Sequence, residues 1–543
     1  MAIDLKSEER EIGKENFQRV VGQYGVSRRD FMKGLLASGA VLPISAAAYF
    51  GYQKLHGKPV RAGLIGAGDE GGVLVGEHNP DFLEFIAYSD IRPFNQGRIF
   101  TGEPNSPRKG FNRIYGKDAR NKIKLYEDYK KLLENKDIEA VVIALPLHLH
   151  APVAIEALKA RKHVLCEKLM AWNVSQCKQM IEAADQEDRV LAIGHQRHYS
   201  LLYAQAEEVL RSGVLGDIKH IRALWHRNNT WPDLDKDGNA NKDPLTGAPY
   251  IRDSWRPAIR DEDRLALESR IKELGYKSME ELVRWRLFQR TGGGLMAELG
   301  SHQLDACSIF LNKVHPLAVS GFGGKIYYHD DREVDDHVFV TFEFPGKDYY
   351  ADEYHKAVKD KNDVVVVTYS SINTNSFEPY GECVMGTRGT MVVEAEKDIL
   401  MYAEKNPAKP VPTSSRSLAV TVATTGGQPA LDTSGSTGPG ERKAVETAQG
   451  ALGPGPVSRG YREEMEHFAH CVRMHAEAAT PEERKQWREK PRCHGRVAMA
   501  DAIIALTANL AMKRRQRIEF DPKWFDAASG DVPDPEMKPG VIA

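Results

Sequence analysis

A six-residue apolar run, Val60 to Ile65, ends in Gly66-Ala67-Gly68-Asp69-Glu70-Gly71. No other stretch constrains the fold as much as this G-x-G-x-x-G. The first glycine permits a tight turn off a strand, the second lets main chain approach a pyrophosphate, and the third lets the next helix pack close. Amides at that helix's N-terminus then face the phosphates. A bare match also suits an ordinary turn, so the flanking sequence has to decide. A second strand, "LEFIAYSD", ends at Asp90, at the spacing the fingerprint requires. A carboxylate there accepts from both hydroxyls of an adenosine ribose and repels a 2′-phosphate, which favours NAD. Arg92 pulls the other way, since a guanidinium pairs well with the extra phosphate of NADP.

Strands and helices keep alternating through "VLAIGHQ". The pattern predicts an α/β protein with a Rossmann-type doubly wound parallel sheet and ligand sites at the strand C-termini. Three strand ends carry polar residues: "LPLHLH" (Pro146, His148, His150), "VLCEKLM" (Glu167, Lys168) and "AIGHQRHY" (His195, Arg197, Tyr199). A lone loop histidine is more often structural than catalytic, whereas a lysine at such an end faces the cleft. Further on, "RTGGGLMAELGSHQLDACSIFL" (290–311) runs from a glycine-rich turn into a helix. Glu298, His302 and Asp305 recur there at i, i+4 and i+7 and so share one face. A carboxylate one turn from a histidine fixes its tautomer and raises its basicity, as a general base requires. Two such ligands without a third do not make a metal site, and no metal is expected.

Taken together, "GLIGAGDEG", "SDIRP", "VVIALPLHLHAPVAIEALKARKHVLCEKLM", "SGVLGDI" and "GGGLMAELGSHQLDA" resemble the Gfo/Idh/MocA family, which includes glucose–fructose oxidoreductase and inositol dehydrogenase. The resemblance runs from about residue 58 to 315 and implies a second, C-terminal α/β domain with an open, mostly antiparallel sheet. It makes Lys168 the lysine of an E-K-P motif, between nicotinamide and substrate. It makes His302 the histidine of D-x-x-x-H, which takes the hydroxyl proton as hydride leaves the same carbon. Leu169 stands where the family has proline, so the Lys168 loop is expected to be less rigid; Glu298 stands where it has aspartate. Lys168, His302 and Glu298 are the expected catalytic set. Cofactor contacts are expected from Gly66, Gly68, Gly71, Asp90, Arg92, Pro146, His150, Glu167 and Lys168, and substrate contacts from His195, Arg197, Tyr199 and Trp225.

With 543 residues the chain is long enough for two or three domains. We divide it at 1–57 (signal and N-terminal segment), 58–196 (dinucleotide-binding domain), 197–405 (substrate and oligomerisation domain), 406–456 (a Pro, Gly, Ser and Thr-rich flexible insertion) and 457–543 (helices completing the fold). A net charge of -2 gives no pull toward nucleic acid. The six scattered cysteines read as buried thiols. No apolar run beyond residue 60 reads as long enough to span a bilayer. "SRRDFMKG", with Arg28-Arg29, precedes a weakly apolar stretch and Ala46-Ala47-Ala48, and resembles a twin-arginine export signal with an A-x-A site. That route carries folded, cofactor-loaded proteins and implies a periplasmic or exported location and contact with its machinery. The expected function is NAD-dependent hydride transfer with a sugar or cyclic polyol, in a homo-oligomer. An oxidoreductive glycosidase and a sugar-binding protein without turnover stay open beside it.

Overall fold

The computed structural model describes residue 5, residues 7–24, residues 46–404 except 53, 54, 56, 229, 230, 233, 236, 243–246, 248–250, 353 and 354, the strands within 421–432, and residues 459–535. Its first sheet has six parallel strands: β1 (Val60–Ile65), β2 (Leu83–Ser89), β3 (Lys124–Tyr126), β4 (Ala140–Ile143), β5 (His163–Glu167) and β6 (Leu191–Gly194). They lie in the order β3-β2-β1-β4-β5-β6. Every residue of β4, β5 and β6 is buried, as strands covered by helices on both faces must be. Chain order reverses between β1 and β4, where Ile65 lies opposite Ile143. A crevice therefore opens beyond these two strand ends, flanked by Gly66 and Pro146.

The second sheet is built from β7 (Ile218–His226), then, past a short hairpin of β8 (Trp231–Pro232) and β9 (Ile251–Arg252), from β10 (Ala318–Gly324), β11 (His337–Pro345), β12 (Val364–Ile372), β13 (Tyr380–Gly386), β14 (Gly389–Glu394) and β15 (Asp398–Ala403). In the 406–456 segment the described residues form only the hairpin β16 (Thr421–Thr425) and β17 (Gln428–Asp432), so its expected flexibility lies outside what is described. A last strand, β18 (Ile518–Glu519), pairs with β10. It completes the order β15-β14-β13-β7-β12-β11-β10-β18, in which only β7 and β12 run parallel. The sheet is the expected open, mostly antiparallel one. Two of its strands carry little pattern: β13 contains the buried Glu382, and β18 is two residues long.

Helix Gly495–Arg514 has the length and composition to cross a bilayer, contrary to the expectation from the sequence, but most of it is buried within the protein. It packs on β10, on helix Val174–Gln186 and on helix Ser301–Phe310, as a core helix between the two sheets. Helix Tyr461–Glu477 returns to the first sheet. Helix Ser7–Tyr24 lies along β15, with Phe17 and Val20 buried. Asn16 Nδ2 donates to Met401 O at 3.0 Å, and Arg10 pairs with Glu394. The helix thus covers a sheet edge that would otherwise offer unpaired backbone groups. Arg28 and Arg29 lie outside the described residues, and Ala46 begins the short helix Ala46–Phe50. All six cysteines are free and buried.

Candidate active site

At the end of β1 the three glycines differ in what they permit. Gly66 has φ +95°, and a Cβ there would meet Ala144 O at 2.3 Å; at Gly71 it would meet Gly66 O at 2.2 Å. At Gly68 nothing is nearer than Asn95 Nδ2, at 4.0 Å. The protein's own backbone therefore demands the first and third glycines, while the second opens on space that a pyrophosphate fits. Asp90 accepts from Ala67 N (2.8 Å), Arg92 N (2.8 Å) and Asn95 Nδ2 (3.1 Å), which fix it at the cleft rim. Burial still holds its pKa above the usual carboxylate value. Arg92 is engaged elsewhere: Nη2 lies 2.8 Å from Asp263, a carboxylate with no solvent exposure. These residues fit NAD, and the pairing removes the sequence's one argument for NADP.

Asp263 comes from helix Asp261–Leu267, in the polar segment between β9 and the catalytic helix, and also accepts from Phe94 N at 3.0 Å. Leu267, Ile271, Tyr276, Met279, Leu282 and Val283 form an apolar cluster that packs on Ile91. The segment is thus folded over the β2 side of the crevice as a clasp. Beneath it runs a cleft of about 1400 Å³. That exceeds the roughly 300–1,000 Å³ of a single small-molecule site, leaving room for a dinucleotide and a second ligand.

Lys168 and His302 line the far end of this cleft. Lys168 Nζ donates to Glu298 O at 2.8 Å. The Lys168–Leu169 peptide is cis. Leu169 is buried, and the His150 ring sits between two carbonyls, Nδ1 2.8 Å from Leu169 O and Nε2 2.8 Å from Leu145 O; burial lowers its pKa, so the neutral ring donates its one N–H to one of them. Where the family has proline, this loop has a buried leucine and an imidazole against its carbonyl. Met296–Gly300 forms a π-helical turn leading into helix Ser301–Phe310. Glu298 accepts from Arg286 Nε (2.7 Å), while Asp305 accepts from Lys313 Nζ (2.8 Å) and lies 2.8 Å from His198 Nε2. Neither carboxylate bonds the His302 ring. The expected acid–histidine stripe fails for two reasons: the π turn interrupts the 3.6-residue period before His302, and Asp305, in the regular helix after it, is taken by Lys313 and His198.

Burial, reinforced by the cationic Lys168, pushes His302 well below the usual histidine value, so its imidazole is neutral. Burial raises Glu298, but Arg286 and Lys168 outweigh it and keep the carboxyl ionised. Glu167, whose Oε2 accepts from Lys168 N at 3.1 Å, is pushed well above its usual value by burial and by Glu70 beside it. A neutral imidazole and an ammonium facing one cavity suit proton removal from a hydroxyl and stabilisation of the oxygen left behind.

Of the sequence-derived residues, Gly66, Gly68, Asp90, Arg92, Pro146, His150, Glu167, Lys168, Glu298 and His302 line the cleft. His150 does so with each ring nitrogen against a main-chain carbonyl. The expected substrate residues do not reach it. Arg197 is buried against Glu396 (2.7 Å) and Glu382 (3.0 Å) and donates to His302 O (2.7 Å). Tyr199 bonds His467 (2.8 Å), and His195 is buried beside Asp305. The 3-10 turn Gln196–Tyr199 carries these side chains into the interior behind the site. Trp225 stacks on Tyr380 and stands 5.5 Å behind the His302 ring, while Trp255 lines the cleft. Sequence reasoning missed Glu70, hidden inside the glycine motif, and Arg227, Arg286 and Tyr461, which no local pattern marks.

Residues 104–195 match the description "Oxidoreductase family, NAD-binding Rossmann fold", and residues 273–392 match "GFO/IDH/MocA C-terminal domain". Both matched stretches are similar to domains of the Gfo/Idh/MocA oxidoreductases. Among relatives, inositol 2-dehydrogenase of Salmonella typhimurium is 35% identical over 109 residues, which is 20% of this chain and 32% of that protein. The 2,7-anhydro-N-acetylneuraminate hydratase of Escherichia coli is 23% identical over 273 residues, 49% of this chain and 60% of that one. The chain spans about a third of the length of the first of these curated relatives. Levoglucosan dehydrogenase in complex with NADH and L-sorbose shares the fold, with a TM-score of 0.52 at 16% identity over 86% of this chain and all of that one. So does aldose-aldose oxidoreductase from Caulobacter crescentus, with a TM-score of 0.50 at 17% identity over 85% of this chain and all of that one.

Proposed function

We propose that the protein is an exported NAD-dependent oxidoreductase of a sugar or cyclic polyol and that it keeps its cofactor between turnovers. One observation carries the reading: a single cleft has the glycine cradle at one end and Lys168 with His302 at the other. Bound in that cradle, NAD supplies the acceptor for a hydride leaving a CH–OH carbon. His302, held neutral by burial, takes the proton of the same hydroxyl. Lys168, fixed on Glu298 O, donates to that oxygen and offsets the charge gathering on it. Glu298 anchors Arg286 and keeps the lysine's carbonyl partner in place.

The hydratase among the relatives favours a second reading at the same site. Oxidation of one ring carbon acidifies its neighbour, so elimination and hydration can precede return of the hydride. Incubation with free sugars and with glycosides separates the two. A keto-sugar supports the dehydrogenase, a released aglycone supports the redox-neutral reaction, and neither product from a broad panel would leave a binding protein. Export rests on Arg28-Arg29 and the apolar stretch after them, and is tested by locating the protein with and without that arginine pair.

A further inference from the structure

Arg227 is a cleft arginine to which the described residues offer no ion pair. It follows β7, and its amide donates to Ile372 O at 2.9 Å, which pins the backbone. Its guanidinium lies over the Trp255 ring at 5.3 Å and lines the cleft. Nε is buried without a partner, and Nη2 makes one long bond, 3.4 Å, to Asn373 Oδ1. Among the described residues no carboxylate lies within ion-pair distance of it. Asp253, the carboxylate acting on it most strongly, is paired with Arg332 at 3.1 Å. Glu298, the next in reach, is taken by Arg286. The two fully buried arginines among the described residues are answered: Arg197 by Glu382 and Glu396, Arg332 by Asp253 and Asp330. Arginine cannot shed its charge, so an unpaired guanidinium at a cleft wall calls for an anion from outside the chain.

We infer that the substrate is an anionic sugar or polyol, and that Arg227 holds its carboxylate or phosphoryl group. The inference rests on the reading of this cleft as the substrate site. A planar fork of N–H donors matches either group with two parallel bonds. The location suits it. Trp225, two residues before Arg227, stands behind His302, and Glu298 lies one helical turn before His302, so an anion on Arg227 sits at the reacting end of the cleft. Local charge points the same way. Lys168, Arg286 and Arg227 face Glu298 there, while His302 is neutral and burial raises the pKa values of Glu167 and Glu70.

The test uses full-length, cofactor-loaded protein and matched probes: glucose, glucuronate and glucose 6-phosphate. Binding is read by calorimetry and turnover separately. Glucuronate or glucose 6-phosphate should bind at least ~10-fold more tightly than glucose, and the tighter of the two identifies the group. Arg227→Gln should abolish the preference by raising KM for the anionic sugar about 10-fold or more while kcat changes little; Arg227→Lys should restore part of it. Thermal melting of both variants separates lost binding from lost folding. Equal binding of all three sugars, or a preference that survives Arg227→Gln, overturns the inference. Anion binding without any keto product supports it and counts instead against the oxidoreductase reading.

Discussion

Gly66 and Gly68 stand two positions apart and should fail in different ways. A methyl at Gly66 must abandon φ +95° or run into Ala144 O, so Gly66→Ala should cost on the order of 1–3 kcal/mol of stability. Gly68→Ala meets nothing in the protein, so it should melt normally and lose at least ~10-fold in NAD affinity. Normal NAD binding by Gly68→Ala would show that the cofactor does not lie against Gly68. For the chemistry, Lys168→Ala and His302→Ala should each lower turnover by about 10²-fold or more with NAD binding intact. The proton acceptor must be neutral, and burial lowers the His302 pKa. The acid limb of kcat/KM should therefore lie below pH 6.5, with activity lost as pH falls through that lowered value. A limb at or above 6.5 would point to a different base. The glycines, Asp90, Lys168 and His302 were legible in the sequence because each sits in a short local motif. His195, Arg197 and Tyr199 were legible in place, at a strand end, but not in direction, which the 3-10 turn after β6 sets. Arg227 carries no local signal, since its meaning lies in partners it lacks.

Among the elements, the clasp is the one whose removal can be read most directly. Arg92 and Phe94 N both converge on Asp263, so this single carboxylate ties the segment to the loop after β2. Asp263→Ala should speed NAD release by roughly 10-fold or more, the change expected when a buried, charge-assisted contact is lost. It should also relax discrimination against NADP, because Arg92 becomes free for the 2′-phosphate. Unchanged release rates, measured by stopped-flow displacement, would show that the clasp does not gate the cofactor. Nothing in the sequence singles out the clasp segment. Its apolar residues are spaced over several short helices and a loop, so no single period exposes the cluster that packs on Ile91. The catalytic helix shows the opposite limit. Its helical pattern was plain, yet the π turn at Met296–Gly300 decides where Glu298 points, and hydrophobic periodicity does not register one extra residue in a turn.

At the scale of the whole molecule, the second sheet keeps one face open. Phe322 lies opposite Phe339 in the ladder, and Val366 and Met385 both lie opposite His220, so all four share that face and stand exposed. We propose that it is covered by a second copy of the chain. Phe339→Lys with Val366→Lys should then convert the assembly to monomer in light scattering, and an unchanged mass would reject the face. The first sheet was legible from its apolar runs and the second from the family resemblance; their joining was not, because helix Gly495–Arg514 binds them from far along the chain. Export, as proposed, would cut the protein off from fresh cofactor. Beyond the cytoplasmic membrane there is no NAD pool, so a dehydrogenase that released NADH would stop after one turnover. The hydride must return to a carbon in the same site, or an acceptor must reoxidise the cofactor in place. Both routes require slow dissociation, and the glycine cradle, Asp90 and the clasp over Arg92 supply contacts for it. Protein purified without added cofactor should therefore carry close to one NAD(H) per chain and act without supplement. If the protein proves cofactor-free and needs millimolar NAD, retention is wrong, and a dehydrogenase working where free NAD is supplied becomes the better description.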